Sequence, residues 1–412
     1  MILLRIFALA IVVLLLVPVA LLPIGTAVPK SILVVFAVVE IALLAVLFRS
    51  VRARRILLTL AGFVAIAILA IFGSQIFAST PPILDANDKP IPNSIAVLEQ
   101  VKLNGTKQWI TIRGKDVTRP VLLFLAGGPG GSELVWTRKY LDRLEDRFVV
   151  VNWDQPGAAK SYNAIPIPML TTERYIADAH QLVELLRSRF QQDKLYLLGE
   201  SWGTILGIEL VQQYPNLFHA YIGSGQMVNT TENDVMGYQF ALKWTRDRGD
   251  TKTLETLQRN GSPPYIGNGM FMKYIAYFSV LNSYMFNHAP GEGTEGNRLL
   301  DVLGIEYGYV DKVNWFRGLI DVFTIFYPKL ADLDFSTQAA KLEVPVYFTV
   351  GRWDVNAMAS LVERYYKGLQ APHKELIWFE KSGHTPLYEE PKQFVDIIVN
   401  RVLAKTLPVR SN

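Results

Sequence analysis

The sequence predicts an α/β fold: a mostly parallel eight-stranded sheet with helices on both faces, carrying a helical insertion and preceded by an apolar helical segment. Three observations predict it. Apolar, β-branched runs alternate with helix-period stretches from residue 94 to residue 404, the pattern of strands covered on both faces. One long interval, 227–337, breaks that alternation without a convincing buried strand of its own. Ahead of both lie three nearly charge-free runs within the first 80 residues.

In chain order, residues 6–24 and 56–79 carry no charge and 31–48 carry only Glu40, each close to the roughly 20 residues that cross a bilayer. The first run is longer than the roughly 7–15-residue apolar core of a secretory signal and two more runs follow it, so three spans are expected rather than a cleaved leader. Arg49-Ser50-Val51-Arg52-Ala53-Arg54-Arg55 joins the second and third runs. Short Arg-rich loops stay cytoplasmic, which predicts a cytoplasmic N-terminus, a multi-pass anchor in the cell membrane, and everything beyond about residue 80 on the outer side. Pro81, Pro82, Pro90 and Pro92 mark residues 81–93 as an extended tether. Residues 94–103 and 107–113 read as an antiparallel hairpin. Strands are then expected at 121–126, 148–153, 194–199, 220–225, 346–351 and 376–380, with helices at 171–189, 204–214, 359–369 and 391–404. The organisation is therefore a membrane segment 1–80, the tether, a core built from 94–226 and 338–412, and a helical lid at 227–337. The lid is dense in aromatic residues, among them Phe271, Tyr274, Phe323 and Tyr327, suited to roofing a pocket at the C-terminal ends of the strands.

Charge and composition narrow the function. The net charge is +4, and Arg5, Lys30, Arg49, Arg52, Arg54 and Arg55 against Glu40 account for the whole excess beside the apolar runs. The globular part carries no basic stripe, which argues against nucleic acid as a partner and leaves a small-molecule or peptide substrate and the lipid bilayer. With no cysteine in the chain, disulfides, thiolate metal sites and cysteine nucleophiles are excluded.

Gly199-Glu200-Ser201-Trp202-Gly203 follows the strand-like KLYLL and precedes the helical TILGIELVQQY. Small residues flank Ser201 because a chain reversing sharply from strand to helix holds the serine in a strained conformation, hydroxyl projecting above the sheet. A serine hydroxyl needs a base in hydrogen-bond reach, and the base needs an orienting carboxylate. Of the five histidines, His180, His219, His288 and His373 fall on a helix, before strands or in the insertion. His384, in Ser382-Gly383-His384-Thr385-Pro386, follows a strand end with small neighbours. Asp354 closes Gly351-Arg352-Trp353-Asp354 after the preceding strand and completes the order Ser, Asp, His. Ala126-Gly127-Gly128-Pro129-Gly130-Gly131 follows the first parallel strand, where backbone N–H groups of Gly128 and Trp202 would meet a developing oxyanion. A phosphate cradle would need Gly-Lys-Ser/Thr after that loop, and Ser132-Glu133 stands there instead; Gly157-Ala158-Ala159-Lys160-Ser161 lacks the glycine before Lys160. No nucleotide, metal or organic cofactor is implied.

The Gly-Gly-Pro-Gly loop, Trp153-Asp154-Gln155-Pro156-Gly157, the Gly-x-Ser-Trp-Gly turn, Gly-Arg-Trp-Asp and Gly383-His384 together resemble the proline iminopeptidase branch of the α/β-hydrolase superfamily, over about residues 95–405 outside the insertion. The resemblance implies an α/β-hydrolase fold, Ser201, Asp354 and His384 as catalytic residues, and an oxyanion loop at Gly127–Gly128. Three departures stand out: Ala126 where the family usually has His, Pro156 where it usually has Arg, and no Trp-x-x-Trp-Glu context in 227–337 for the lid glutamates that grip the substrate's amine. Glu232, Glu292, Glu295 and Glu306 are candidates for that role. An aminopeptidase of proline iminopeptidase type predicts a lid carboxylate facing Ser201. A carboxylesterase or lipase predicts a greasy pocket without one, and a binding module on a dead scaffold is disfavoured by the complete set of catalytic residues. The oligomeric state is not encoded legibly.

Overall fold

The structure is a computed structural model that describes residues 2–50, 52–289, 291, 302 and 304–407. The chain divides into two compact units, Met1–Pro81 with Leu299–Asn314, and Pro82–Arg298 with Trp315–Asn412.

The first unit is built on three apolar helices, α1 (Ile2–Leu21), α2 (Lys30–Arg49) and α3 (Ala53–Ile76). Among the described residues, α2 and α3 are long and apolar enough to cross a membrane, and the described apolar stretch of α1, Ile6–Leu21, is shorter. Ala8, Val12, Leu47, Ile56 and Phe63 are buried together between the helices, whereas Leu14, Ile41, Phe48 and Phe72 point outward. Polar contacts fasten the short segment from the insertion to these helices. Gln75 donates to Asp311 at 3.0 Å, the Tyr309 hydroxyl donates to the Pro18 carbonyl at 2.7 Å, and Lys312 reaches the carbonyls of Gly25 and Tyr307, each at 2.6 Å.

The second unit holds an eight-stranded sheet: β1 (Ile95–Leu103), β2 (Thr106–Gly114), β3 (Val121–Leu125), β4 (Val149–Asp154), β5 (Leu195–Glu200), β6 (Phe218–Ser224), β7 (Val346–Gly351) and β8 (Lys374–Phe379). Its order is β1-β2-β4-β3-β5-β6-β7-β8. The β1–β2 hairpin and the β2–β4 pair are antiparallel, and all other pairs are parallel. Every strand begins within two residues of the sequence-based expectation. Because side chains alternate along a strand, β3 sends Leu123 and Leu125 into one core with Leu197 and Phe348, and Leu122 and Phe124 into the opposite core with Leu198 and Tyr347. Residues buried on both faces explain why β3 to β7 read as largely apolar runs rather than as strict alternation.

Helices α4 (Leu134–Tyr140), α5 (Thr172–Phe190), α6 (Trp202–Gln213) and, later in the chain, the C-terminal pieces cover the sheet. In the insertion, α7 (Thr230–Asp247), α8 (Thr251–Asn260) and α9 (Met270–His288) are followed by α10 (Tyr309–Phe326), whose residues from Trp315 onward belong to this unit. Asn229 and Asp250 cap α7 and α8 through side-chain bonds to the N–H groups of Glu232 and Thr253, which fixes where these helices start. The expected helix at 391–404 is regular only over Pro391–Ile397 and continues through a wider π-type stretch, Ile398–Leu403. In register, Leu125 stands beside Gly199, Glu200 beside Ser224, and Gly351 beside Phe379, so the loops after β3, β5, β6, β7 and β8 leave the sheet along one edge.

Candidate active site

Ser201 sits between β5 and α6 at φ 49°, ψ −116°, a conformation costly for a residue with a side chain. The flanking glycines are sterically obligatory. A Cβ on Gly203 would lie 2.0 Å from the Leu125 carbonyl oxygen, and one on Gly199 would lie 2.5 Å from the Gly203 oxygen. The strand end, the turn and the helix start are thus pressed together, and the Ser201 N–H is fixed by the Ser224 carbonyl at 3.0 Å.

His384 Nε2 stands 2.9 Å from Ser201 Oγ, and its Nδ1 stands 3.0 Å from Asp354 Oδ2. Asp354 is buried, and its other oxygen accepts the backbone N–H groups of Asn356 and Ala357 at 2.9 Å each. That fixes the carboxylate plane, and the carboxylate in turn orients the imidazole. Two further carboxylates hold the histidine loop: Glu389 accepts the Gly383 N–H at 2.6 Å, and Glu390 accepts the Ser382 hydroxyl at 2.7 Å. Burial alone would lower the His384 pKa, yet the charge and hydrogen bond of Asp354, with Glu389 and Glu133 behind them, raise it above its usual value.

The glycine loop lies alongside. Gly128 has φ 147°, and a Cβ there would come within 2.7 Å of the Gly130 and Gly131 nitrogens. Trp202 opens α6, where the first N–H groups lack intrahelical partners. The Trp153-Asp154-Gln155 motif braces this region. Gln155 takes the Trp202 indole N–H at 3.0 Å and donates to the Ala126 carbonyl at 3.2 Å, while Asp154 accepts the Ser132 hydroxyl and, at 3.1 Å, the Lys160 N–H. The arrangement can activate a hydroxyl for attack and present backbone donors beside it.

A cavity of about 390 Å³ opens over Ser201 and His384, roofed by lid aromatics including Phe271, Tyr274, Phe278, Trp315 and Phe323. Among the described residues its titratable lining comprises Glu133, Glu200 and Asp234 together with His384, with no lysine or arginine. Of the expected lid carboxylates, Glu232 pairs instead with Arg364, Glu306 in the first unit accepts the Thr80 hydroxyl at 3.3 Å, and Glu292 and Glu295 lie outside the described residues. Among the described residues, the lid carboxylate that lines the cavity is Asp234. Its two oxygens accept the hydroxyls of Tyr277 at 2.8 Å and Tyr327 at 2.6 Å, and burial pushes its pKa up to about 6 against the pull of those two bonds. Asp234, Glu133 and Glu200 escaped sequence reasoning. The signal that could have found Glu200 was an acidic residue directly before the serine, in a strand otherwise wholly apolar.

A family profile described as alpha/beta hydrolase fold matches residues 120–259. A probable aminopeptidase, YbaC, of Bacillus subtilis strain 168 is 33% identical over 312 residues, covering 75% of this chain and 97% of that protein. The proline iminopeptidase of Heyndrickxia coagulans is 24% identical, covering 68% of this chain and 88% of that one. Among solved structures, the proline iminopeptidase of Mycobacterium smegmatis superposes with a TM-score of 0.55 at 16% identity, over 75% of this chain and 99% of the other.

Proposed function

The chain belongs to the α/β-hydrolases, in their proline iminopeptidase-like branch, and is a hydrolase; from that premise we propose that it is a membrane-anchored serine aminopeptidase acting through Ser201, His384 and Asp354. His384 Nε2 takes the Ser201 proton as Oγ attacks the scissile carbonyl, and the N–H groups of Gly128 and Trp202 stabilise the tetrahedral oxyanion. His384 then returns the proton to the leaving amine. Water attacks the acyl-enzyme with His384 again as base, and Asp354 keeps the imidazole in the required tautomer throughout.

The observation that carries the peptidase reading is the set of three carboxyl groups lining the cavity, Glu133, Glu200 and Asp234 from the lid. A peptide with a free N-terminus brings an ammonium group, which an acidic pocket attracts and a neutral acyl ester does not need. The aromatic roof favours a second reading, an esterase or lipase acting on acyl esters. Comparing proline arylamide with short-chain aryl esters on the full-length protein in detergent separates the two. Arylamide turnover supports the peptidase, and rapid ester turnover with none of the arylamide excludes it.

In this reading residues 1–80 form three spans, 81–93 a tether, 94–226 and 338–412 the catalytic core, and 227–337 its cap except for 304–314, which belong to the first unit. The outward apolar faces of α1 to α3, with Leu14 at 72% and Phe48 at 66% exposure, support a lipid surround. The Arg-rich loop at 49–55 supports a cytoplasmic N-terminus and an outward catalytic unit. Protease treatment of intact cells should remove the C-terminal unit; its protection until lysis would contradict the orientation.

A further inference from the structure

Glu133 and Glu200 both line the cavity beside Ser201, and Glu200 is among the groups that act on the Glu133 carboxyl. Both residues are buried, with Glu200 2% and Glu133 6% exposed. Glu200 precedes Ser201, and its Oε1 stands 3.9 Å from His384 Nε2, the nitrogen that faces the serine hydroxyl at 2.9 Å. Its Oε2 occupies the space beside Gly127, where a Cβ would come within 2.0 Å of it. Glu133 accepts the Gly127 N–H and the Tyr388 hydroxyl, both at 3.4 Å. The pair therefore lies between the glycine loop and the serine turn and shares a single cavity wall with the reacting atoms.

We infer that Glu200, backed by Glu133, is a specificity-determining residue that receives the substrate's free α-ammonium group beside the scissile carbonyl. The inference rests on the aminopeptidase reading and names the recognition element within the same site. Covalent geometry makes it demanding: an α-nitrogen is only ~2.5 Å from its own carbonyl carbon. Whatever binds that nitrogen must flank Ser201, as Glu200 does. A carboxylate there without a cation would oppose the growing oxyanion, so a pair whose burial favours the neutral form of Glu133 when empty and which faces an ammonium when occupied suits both states.

The groups facing the pair are the Gly127 N–H, the Tyr388 hydroxyl and His384, with Asp354 and Glu389 behind the imidazole. Burial pushes Glu133 up to about 7, against the pull of the Gly127 N–H, Glu200, His384 and Tyr388. As pH falls through that value Glu133 takes up a proton and this wall of the cavity loses negative charge. Preference for a free amine over its N-acetyl counterpart then weakens, while protonation of His384 affects both substrates alike and cancels in the ratio. Above about pH 8 the substrate's own amine loses its proton, so the ratio is bell-shaped.

The experiment measures kcat/KM for proline arylamide and for N-acetylproline arylamide from pH 5 to 9 on the full-length protein in detergent. In the wild type the free amine is preferred most strongly between about pH 7 and 8. Glu200→Gln lowers that ratio by about 10- to 100-fold, the worth of one charge-assisted hydrogen bond, and Glu200→Asp recovers part of it. Glu133→Gln retains the preference and removes the acidic limb that Glu133 contributes near pH 7. A free-amine preference unchanged in a folded Glu200→Gln protein, as judged by circular dichroism, contradicts the subsite alone. A wild type that hydrolyses aryl esters and no free-amine arylamide contradicts the aminopeptidase reading and the subsite with it.

Discussion

Replacing Asp354 by asparagine changes one atom and should nearly silence the enzyme. Asp354 Oδ1 accepts two backbone N–H groups at 2.9 Å each, while Oδ2 faces His384 Nδ1 at 3.0 Å. Asparagine has one acceptor oxygen, and the two backbone donors claim it, which turns its NH₂ toward the imidazole. Two donors cannot face each other, so Nδ1 must present its lone pair and the single ring proton moves to Nε2, pointing at Ser201 Oγ 2.9 Å away. In that tautomer His384 cannot accept the serine proton. The expected loss is about 10⁴-fold in kcat/KM, equivalent to about 5.5 kcal/mol of transition-state stabilisation, with the fold intact because shape and backbone bonds are preserved. The assay is steady-state hydrolysis of an activated arylamide or aryl ester by the full-length protein, with the rate of fluorophosphonate labelling as a substrate-independent readout. A loss smaller than tenfold in both would refute the tautomer argument and the role assigned to Asp354.

Two other outcomes follow from the same geometry. With an N-acetylated substrate, kcat/KM should climb with pH as His384 loses its proton, with a midpoint above 6.5 because Asp354, Glu389 and Glu133 outweigh burial; a midpoint below 6.5 would mean that those carboxylates do not govern the imidazole. Gly203→Ala should destabilise the protein by about 3 kcal/mol or more, since the new methyl meets the Leu125 carbonyl oxygen at 2.0 Å and its carbon at 2.7 Å, both backbone atoms that have nowhere to go. Urea unfolding of the variant at the wild-type midpoint would show that the turn can relax.

Much of this architecture is written locally. Val121–Leu125 and Val346–Gly351 are short, buried on both faces and rich in β-branched or bulky apolar residues, so their runs announce parallel strands without reference to anything distant. Ser201, His384 and Asp354 were equally readable because each stands just past a strand end, a position that parallel register converts into proximity. The acidic lining was not. Glu133 and Glu200 are 67 positions apart, and Asp234 gains its setting only when Tyr277 and Tyr327 fold over it. Apart from the place of Glu200 directly before Ser201, nothing in the local sequence distinguishes such carboxyls from solvated ones such as Glu232, which faces Arg364 at the surface. Residues 304–314, read from sequence as lid, are instead bonded to the N-terminal helices through Tyr309, Asp311 and Lys312, contacts more than 200 positions apart that no periodicity foretells.

The most direct test of the whole account is to react the full-length protein with a fluorophosphonate and locate the adduct by peptide mass spectrometry. The account predicts a single adduct on the peptide containing Ser201 and none in Ser201→Ala. An adduct on another serine, or labelling that survives that substitution, would contradict it.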